Sequence, residues 1–344
     1  MRKRVGKIII NHRPTIKDIA KKLNIHHSTV SRALHNHPDV KEATRKLILE
    51  TAEAMNYEPD IFARNLKQNT TNIIGVIVPE IKHHFFSAVI SGIEDVAYSK
   101  GYVIMVCQSN EQYEREVMNA RALLSNKVAG LLVSMSQTTH KCDHFKLYQE
   151  RGIPLVFFDR VCREFNTASV IVNDFRGAYQ AVNHLIQKGR KRIYHIGGTK
   201  QLEISRKRYE GYKAALKDNG FPIEQQKVVW KGLQEEDGVA GMEELLADSA
   251  NMPDAVFAVN DPVALGVYEV LKKKGLKIPE DLSVVGFSNN PISAFVNPAL
   301  TTVEQPSFEM GKAAADLLIK QILNEDGQKE EIVLPTRLIV RASS

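Results

Sequence analysis

The chain has 344 residues, 43% hydrophobic and 25% charged, an ordinary globular composition with material for two or three domains. No early apolar run approaches the roughly 18 residues of a spanning helix. The basic opening MRKRVGKIII carries too short an apolar stretch to read as a secretory signal. Residues 1–72 hold 14 Lys+Arg against 7 Asp+Glu, net +7, while residues 73–344 hold 32 against 33, net −1. A positive headpiece on a neutral body is the electrostatic footprint of a nucleic-acid binder.

Residues 1–14 form a basic extension without periodicity, expected to be disordered at its tip. Thr15 then reads as a helix N-cap with Asp18 at the third helical position. Ile16, Ile19, Ala20 and Leu23 fall at i, i+3, i+4, i+7 and make one apolar stripe. Asn24-Ile25-His26 interrupts that helix, and a second starts near His27. It buries Val30, Ala33 and Leu34 and leaves His27, Ser28, Thr29, Ser31 and Arg32 mostly outside. Two short helices, a tight turn and a polar outer face describe a helix-turn-helix. Any small helical hairpin shares this periodicity. The outer face distinguishes them, because it offers hydroxyls, imidazole and guanidinium suited to base edges and phosphate oxygens. A third helix is predicted over 41–56, turning Leu47, Ile48, Thr51 and Met55 toward the first two. Tyr57-Glu58-Pro59 ends it. Residues 60–67, DIFARNLK, supply two helical turns, too few for a stable free helix, and residues 68–72 read as a polar linker.

TIKDIAKKLNIHHSTVSRAL followed by NYEPDIFARNLK closely resembles the DNA-binding headpiece of the lactose-repressor family, here residues 15–67. The resemblance implies near-palindromic double-stranded operator DNA as partner. It implies that Thr15, His27, Ser28, Thr29, Ser31, Arg32 and Tyr57 face that DNA. It also makes 60–67 a hinge helix that orders on DNA, with Leu66 inserted between base steps in the minor groove and Ala63 and Lys67 beside it. An ordinary linker leucine is the other reading of Leu66.

From Ile73 short apolar strands alternate with helices. Strands are predicted at Ile73–Val78, Tyr102–Cys107, Gly130–Ser134, Leu155–Phe158 and Val170–Val172, and again at Arg192–Ile196, Val228–Trp230, Val256–Val259 and Val284–Phe287. The intervening helices fall near 87–100, 111–125, 177–188, 206–219, 239–246 and 262–274. Such alternation indicates doubly wound α/β layers, and two such blocks indicate two lobes with a cleft between them. The fold class is therefore multidomain: an all-α headpiece ahead of an α/β core of doubly wound parallel sheets. This core is similar to the periplasmic-binding-protein core of the same family. By that topology a helix over 307–323 returns to the first lobe and a strand over 337–341 to the second. The lobes are then residues 73–172 with 306–331, and 173–305 with 332–344. No leucine heptad follows, so a tetramer-forming tail is not expected.

Open α/β sheets bind ligands at the carboxyl ends of their strands. Those ends carry His84-Phe85-Phe86, Asp159-Arg160, Asn173-Asp174, Asn260-Asp261 and Ser288-Asn289, with Arg208 opening a helix. Matched to the family, Phe85, Phe86, Asp159, Arg208, Asn260 and Ser288 face an effector cleft; singly, Asp159 and Asn260 read equally well as helix caps. Aromatic faces with planar polar groups suit a sugar or related small metabolite. Many relatives carry Asp where Ser288 stands and an aromatic where Leu233 stands, and both departures bear on the ligand class.

No GxGxxG after a strand, GxxxxGK[ST], HExxH or GxSxG is present. No cofactor and no metal is expected: the pairs His26-His27 and His83-His84 point their neighbours apart. Cys107, Cys142 and Cys162 share no ligand spacing and read as separate, inert thiols in a reduced cytoplasm. The expectation is a cytoplasmic, homodimeric, effector-controlled transcriptional regulator, acting as a repressor without membrane attachment. A solute-binding receptor or a carbohydrate-related enzyme on the same core is the alternative.

Overall fold

The chain divides near residue 70 into two compact units. A computed structural model describes residues 14–34, 37–55, 57, 71–223, 227–324 and 330–344. The hinge expected at 60–67, including Ala63, Leu66 and Lys67, lies outside the described residues, as do residues 1–13. Among the described residues no helix is long and apolar enough to cross a membrane.

The first unit contains α1 (Ile16–Leu23), α2 (His27–Leu34) and α3 (Glu42–Ala54). Thr15 and Asp18 close a capping box: the Thr15 amide and hydroxyl donate to Asp18 Oδ2 at 2.8 and 2.7 Å. Asn24 ends α1 in the left-handed region, φ 50°, where a short polar side chain is tolerated, and the chain can reverse into α2. Ile19, Val30, Ala33 and Ile48 are wholly buried between the helices. Arg45 donates to the carbonyls of His37 and Val40 at 2.9 and 3.3 Å and so fixes the loop before α3. Leu47 departs from the expectation. It is 51% exposed, because Ile48, Thr51 and Ala52 occupy the inward stripe of α3 at helical spacing.

The second unit has two six-stranded sheets. In the first lobe the chain runs through β1 (Ile73–Val78), α4 (His84–Ser99), β2 (Val103–Gln108) and α5 (Tyr113–Ser125). It continues through β3 (Gly130–Val133), α6 (Lys146–Glu150), β4 (Leu155–Phe158) and β5 (Ser169–Val172). The second lobe opens with α7 (Asp174–Gln187), β6 (Ile193–Gly197), α8 (Glu203–Asp218), β7 (Val228–Trp230) and α9 (Glu235–Leu246). It proceeds through β8 (Ala255–Ala258), α10 (Asp261–Lys274), β9 (Ser283–Ser288) and β10 (Thr301–Glu304). Then α11 (Ser307–Ile322) and β11 (Glu331–Leu334) return to the first lobe, and β12 (Arg337–Ile339) joins the second.

The sheet orders are β11-β5-β4-β3-β1-β2 and β12-β10-β9-β8-β6-β7, parallel throughout except that β12 runs antiparallel to β10. Both orders reverse direction at the first strand of the lobe, the switch point beside which such sheets place ligands. The chain crosses between lobes three times: after β5, after β10 and after β11. The boundary expected at 331/332 is corrected, since β11 pairs with β5 through Leu334↔Val172 and the last crossing falls at Pro335-Thr336. In the first lobe α4 and α11 approach so closely that a Cβ on Gly92 would stand 2.1 Å from the Phe308 carbonyl oxygen. A Cβ on Gly311 would stand 2.0 Å from that of Val89.

The cysteine expectation is also corrected. Cys142 and Cys162 form a disulfide with Cα atoms 6.7 Å apart, and Cys107 is free. The loops that follow the neighbouring parallel strands β3 and β4 must leave the sheet side by side, which brings together two cysteines with no motif spacing.

Candidate functional site

In the headpiece unit, α2 presents the exposed His27 and Arg32 with the half-buried Ser28, Thr29 and Ser31. His26, which the sequence reading passed over, starts this helix. Its ring Nδ1 accepts the Ser28 N–H at 3.3 Å and lies 2.8 Å from the Ser28 hydroxyl, while its carbonyl accepts the Thr29 N–H at 2.9 Å. The Ser28 hydroxyl is thereby turned back onto the His26 ring. Thr15 is exposed but spends its hydroxyl on the capping box. Tyr57 is half-buried against the headpiece core, its amide bonded to the Ala52 carbonyl at 2.9 Å.

In the second unit the six cleft residues named from the sequence all line one pocket between the lobes. The first lobe supplies Phe85 and Phe86 from the first turn of α4, their rings edge to face at 5.1 Å. It also supplies Asp159 and Arg160 from the end of β4, and Glu111, which sequence reasoning missed. The second lobe supplies Arg208, Asn260 and Ser288, with Leu233, Gln234 and Gln305 around them. Glu111, Asp159 and Ser288 have φ of 58°, 59° and 117°, so three lining residues hold backbones that non-glycine residues avoid.

The charges in the cleft are buried and individually tied down. Arg160 places Nη1 2.9 and 2.8 Å from the Glu111 carboxylate oxygens, donates to the Met135 carbonyl, and lies over the Phe86 ring at 5.6 Å. Arg208 donates through Nε to Asp174 and through Nη1 to the Val259 carbonyl, both at 2.8 Å, and stacks on Phe287 at 3.7 Å. Burial raises the Asp174 carboxyl despite Arg208. Burial also pushes Asp159 up to about 6, against the opposing pull of Arg160 and Arg208. Glu80 at the rim meets the same burial, which is overcome by bonds from Gln234 and His83 and by the charges of His83 and Lys82, and is lowered. Among the residues that line the pocket, Glu111 and Asp159 stand against Arg160 and Arg208, and the carboxylates of Glu80 and Asp174 lie behind the lining.

Asn260 does what its position after a strand suggests and also faces the cleft. Its Oδ1 caps α10 by accepting the Val263 N–H at 2.9 Å, and its Nδ2 donates to the Leu233 carbonyl at 2.8 Å. Ser288 donates to Gln305 Oε1 at 2.9 Å, and the buried Gln305 Nε2 is left without a partner. Arg160 was legible as a charge directly after an apolar strand. Glu111 and Gln305 carried no comparable signal. Among the described residues Cys142, Cys162 and Glu164 bring donor atoms within 4.8 Å of one another, but the two sulfurs are bonded to each other.

Comparison with known proteins gives the family of both units. Residues 15–60 match the model of bacterial regulatory proteins of the lacI family, and residues 182–344 match a periplasmic binding protein-like domain. The chain is 32% identical over 331 residues to catabolite control protein A of Priestia megaterium, covering 96% of this chain and 99% of that one. It is 33% identical over 331 residues to the HTH-type transcriptional repressor CytR of Escherichia coli K12, with 96% of each chain covered. A solved complex of the transcriptional regulator CelR with cellobiose superposes with a TM-score of 0.73 at 27% identity, covering 96% of this chain and 100% of that one.

Proposed function

The chain belongs to the lacI family of bacterial regulatory proteins, ligand-controlled and DNA-binding, and from that premise we propose that it is a cytoplasmic, homodimeric repressor answering to a neutral polyhydroxy metabolite. One headpiece offers too little surface for operator-level specificity, so two act together on a near-palindrome. In each, α2 enters the major groove, with Arg32, His27 and Ser28 setting base preference. The hinge expected at residues 60–67, with Leu66, lies outside the described residues and is the segment through which the effector is proposed to act on DNA binding. The relatives are regulators, and the cleft here is read as a receptor site, not a catalytic one.

The observation that carries the ligand class is the charge of the cleft. Both arginines that line it are already paired, with Glu111 and Asp174, and Asp159 adds a further carboxylate to the lining. A phosphate ester entering this space would meet the Asp159 carboxylate and, among the described lining residues, no uncommitted guanidinium to neutralise it. Hydroxyls instead find an acceptor in Asp159, an amide in Asn260 and an aromatic face in Phe85. Ser288 reaches one hydroxyl where a carboxylate would hold two, so the fit does not depend on gripping a vicinal diol there. The regulator bound to cellobiose among the similar structures is in keeping with a neutral ligand.

Two measurements test the reading. Selection from a random duplex pool should return near-palindromic sites, and Arg32→Ala should relax base preference at defined positions. Calorimetry against paired metabolites, each free and as its phosphate ester, should give binding only for free forms. Tighter binding of an ester would overturn the ligand class, and failure to enrich any duplex would overturn the regulator reading.

A further inference from the structure

The lobes touch away from the three crossings through a small set of side chains. Gln234 of the second lobe donates to Glu80 of the first at 2.7 Å, and the Thr199 hydroxyl donates to Gln137 Oε1 at 3.1 Å. The third contact is an ion pair of two-pronged geometry. Arg163, in the loop between β4 and β5, donates Nε and Nη2 to the two carboxylate oxygens of Glu203, each at 2.8 Å. Glu203 is the first residue of α8, the helix that also carries Arg208. Nη1 of Arg163 meets Glu331 of β11 in its own lobe. One guanidinium thus fastens the opening turn of a second-lobe helix to the edge strand of the first lobe.

The residue before Arg163 is Cys162. Its disulfide to Cys142 ties the 159–168 loop to the loop after β3, and that second loop carries Gln137. Both covalently joined loops therefore reach across the cleft. We infer that Arg163 is a clamp on the closed lobes and that the Cys142–Cys162 disulfide keeps it in register, so that closure of the cleft responds to thiol reduction. The inference rests on the reading of that cleft as the effector site. Disulfides in reducing compartments are mostly transient and redox-sensing, which is the use assigned to this one. Reduction proceeds by ordinary exchange. A thiolate of a dithiol attacks one sulfur of the pair and frees the other; its second thiol then closes on the mixed disulfide. The reductant leaves as its cyclic disulfide, and its two protons end on Cys142 and Cys162.

The test uses the full chain without DNA or effector, so its failure is separate from any failure of the proposed function. Alkylation after denaturation should mark one cysteine before dithiothreitol treatment and three after it. Hydrogen exchange is then followed at the first turn of α8, which contains neither cysteine nor Arg163. Reduction should raise exchange there roughly two- to fivefold, the range that a partly exposed ion pair commands. Oxidised Arg163→Ala and Glu203→Gln should show the same rise, and reduction of either variant should add nothing further at α8. The Glu203→Gln variant keeps side-chain shape and remains informative if Arg163→Ala folds poorly. The inference is overturned if α8 is unmoved by reduction in the wild type, if the variants leave it unmoved, or if three cysteines alkylate at once and glutathione disulfide cannot close the pair.

Discussion

Arg208→Ala separates a contact residue from a structural one. Arg208 is 2% exposed and its partner Asp174 is 6% exposed, joined by the 2.8 Å bond from Nε. Truncation leaves a buried carboxylate without its cation, a loss of about 3–5 kcal/mol, and orphans the Val259 carbonyl for about 1 kcal/mol more. Against a total stability of about 5–15 kcal/mol, the second lobe of this variant should be marginal. The melting temperature should fall by roughly 8–24 °C, at about 2–4 °C per kcal/mol for a body of this size. Circular dichroism during urea and thermal unfolding of the full chain measures this directly. Arg208→Met combined with Asp174→Asn removes both charges and should recover most of the loss. The effector response should then be scored in the double variant, where stability no longer confounds it. A destabilisation below about 1 kcal/mol for Arg208→Ala would refute the buried-pair reasoning, as would a double variant at least as unstable as the single one.

Three further outcomes follow from individual groups. His195 is wholly buried, and burial, with Arg208 adding to it against the bond to the Phe257 carbonyl, lowers it to about 4 from 6.5. The unfolded chain takes up this proton first, so about 3 kcal/mol of stability should drain away as pH falls from 6.5 through 4; His195→Phe should flatten that slope in unfolding measured across the window. Asp159 has the opposite sign, because its folded carboxyl titrates near 6 against 3.8 in the free side chain. It favours the fold as pH drops, yet loses its role as a hydroxyl acceptor, so effector affinity by calorimetry should decline through pH 6 and Asp159→Asn should abolish that dependence. Asn260→Ala should cost about 1–2 kcal/mol through the lost α10 cap, whereas Asn260→Asp keeps the acceptor for Val263 and gives up the bond to Leu233. Equal midpoints for these two variants in denaturant titration would contradict the cap.

Much of this molecule was legible wherever burial imposes a period. The stripes of α1 and α2 and the apolar strands β1, β3, β4 and β8 announce themselves, and the resemblance to the family picked out six residues that line one cleft. Several helix starts were placed late. The expected helix near 206 begins at Glu203 and the one near 239 at Glu235, because first turns are built from acidic and polar residues that suit the helix N-terminus and break the apolar pattern. β10 reads Thr-Thr-Val-Glu and escaped notice: its two threonines are buried, with Thr302 donating to Asp261 at 2.5 Å. β11 is an edge strand with alternating exposure and gave a signal too short to stand out. The pairing of Arg208 with Asp174, and of Cys142 with Cys162, are facts of tertiary neighbourhood that no local spacing encodes.

The threefold crossing has a consequence for how the chain must be made. The first sheet lacks its β11 edge until residue 334 has been synthesised, and the second lacks its β12 edge until residue 339. Domains translated in full at about 5–20 residues per second commonly fold as they leave the ribosome. Here β5, ready by residue 172, waits about 160 residues for β11, at least about eight seconds at that rate. During that interval its unpaired edge is open to other nascent chains and to chaperones, which makes early arrest of synthesis a more dangerous event for this protein than for one whose lobes are contiguous.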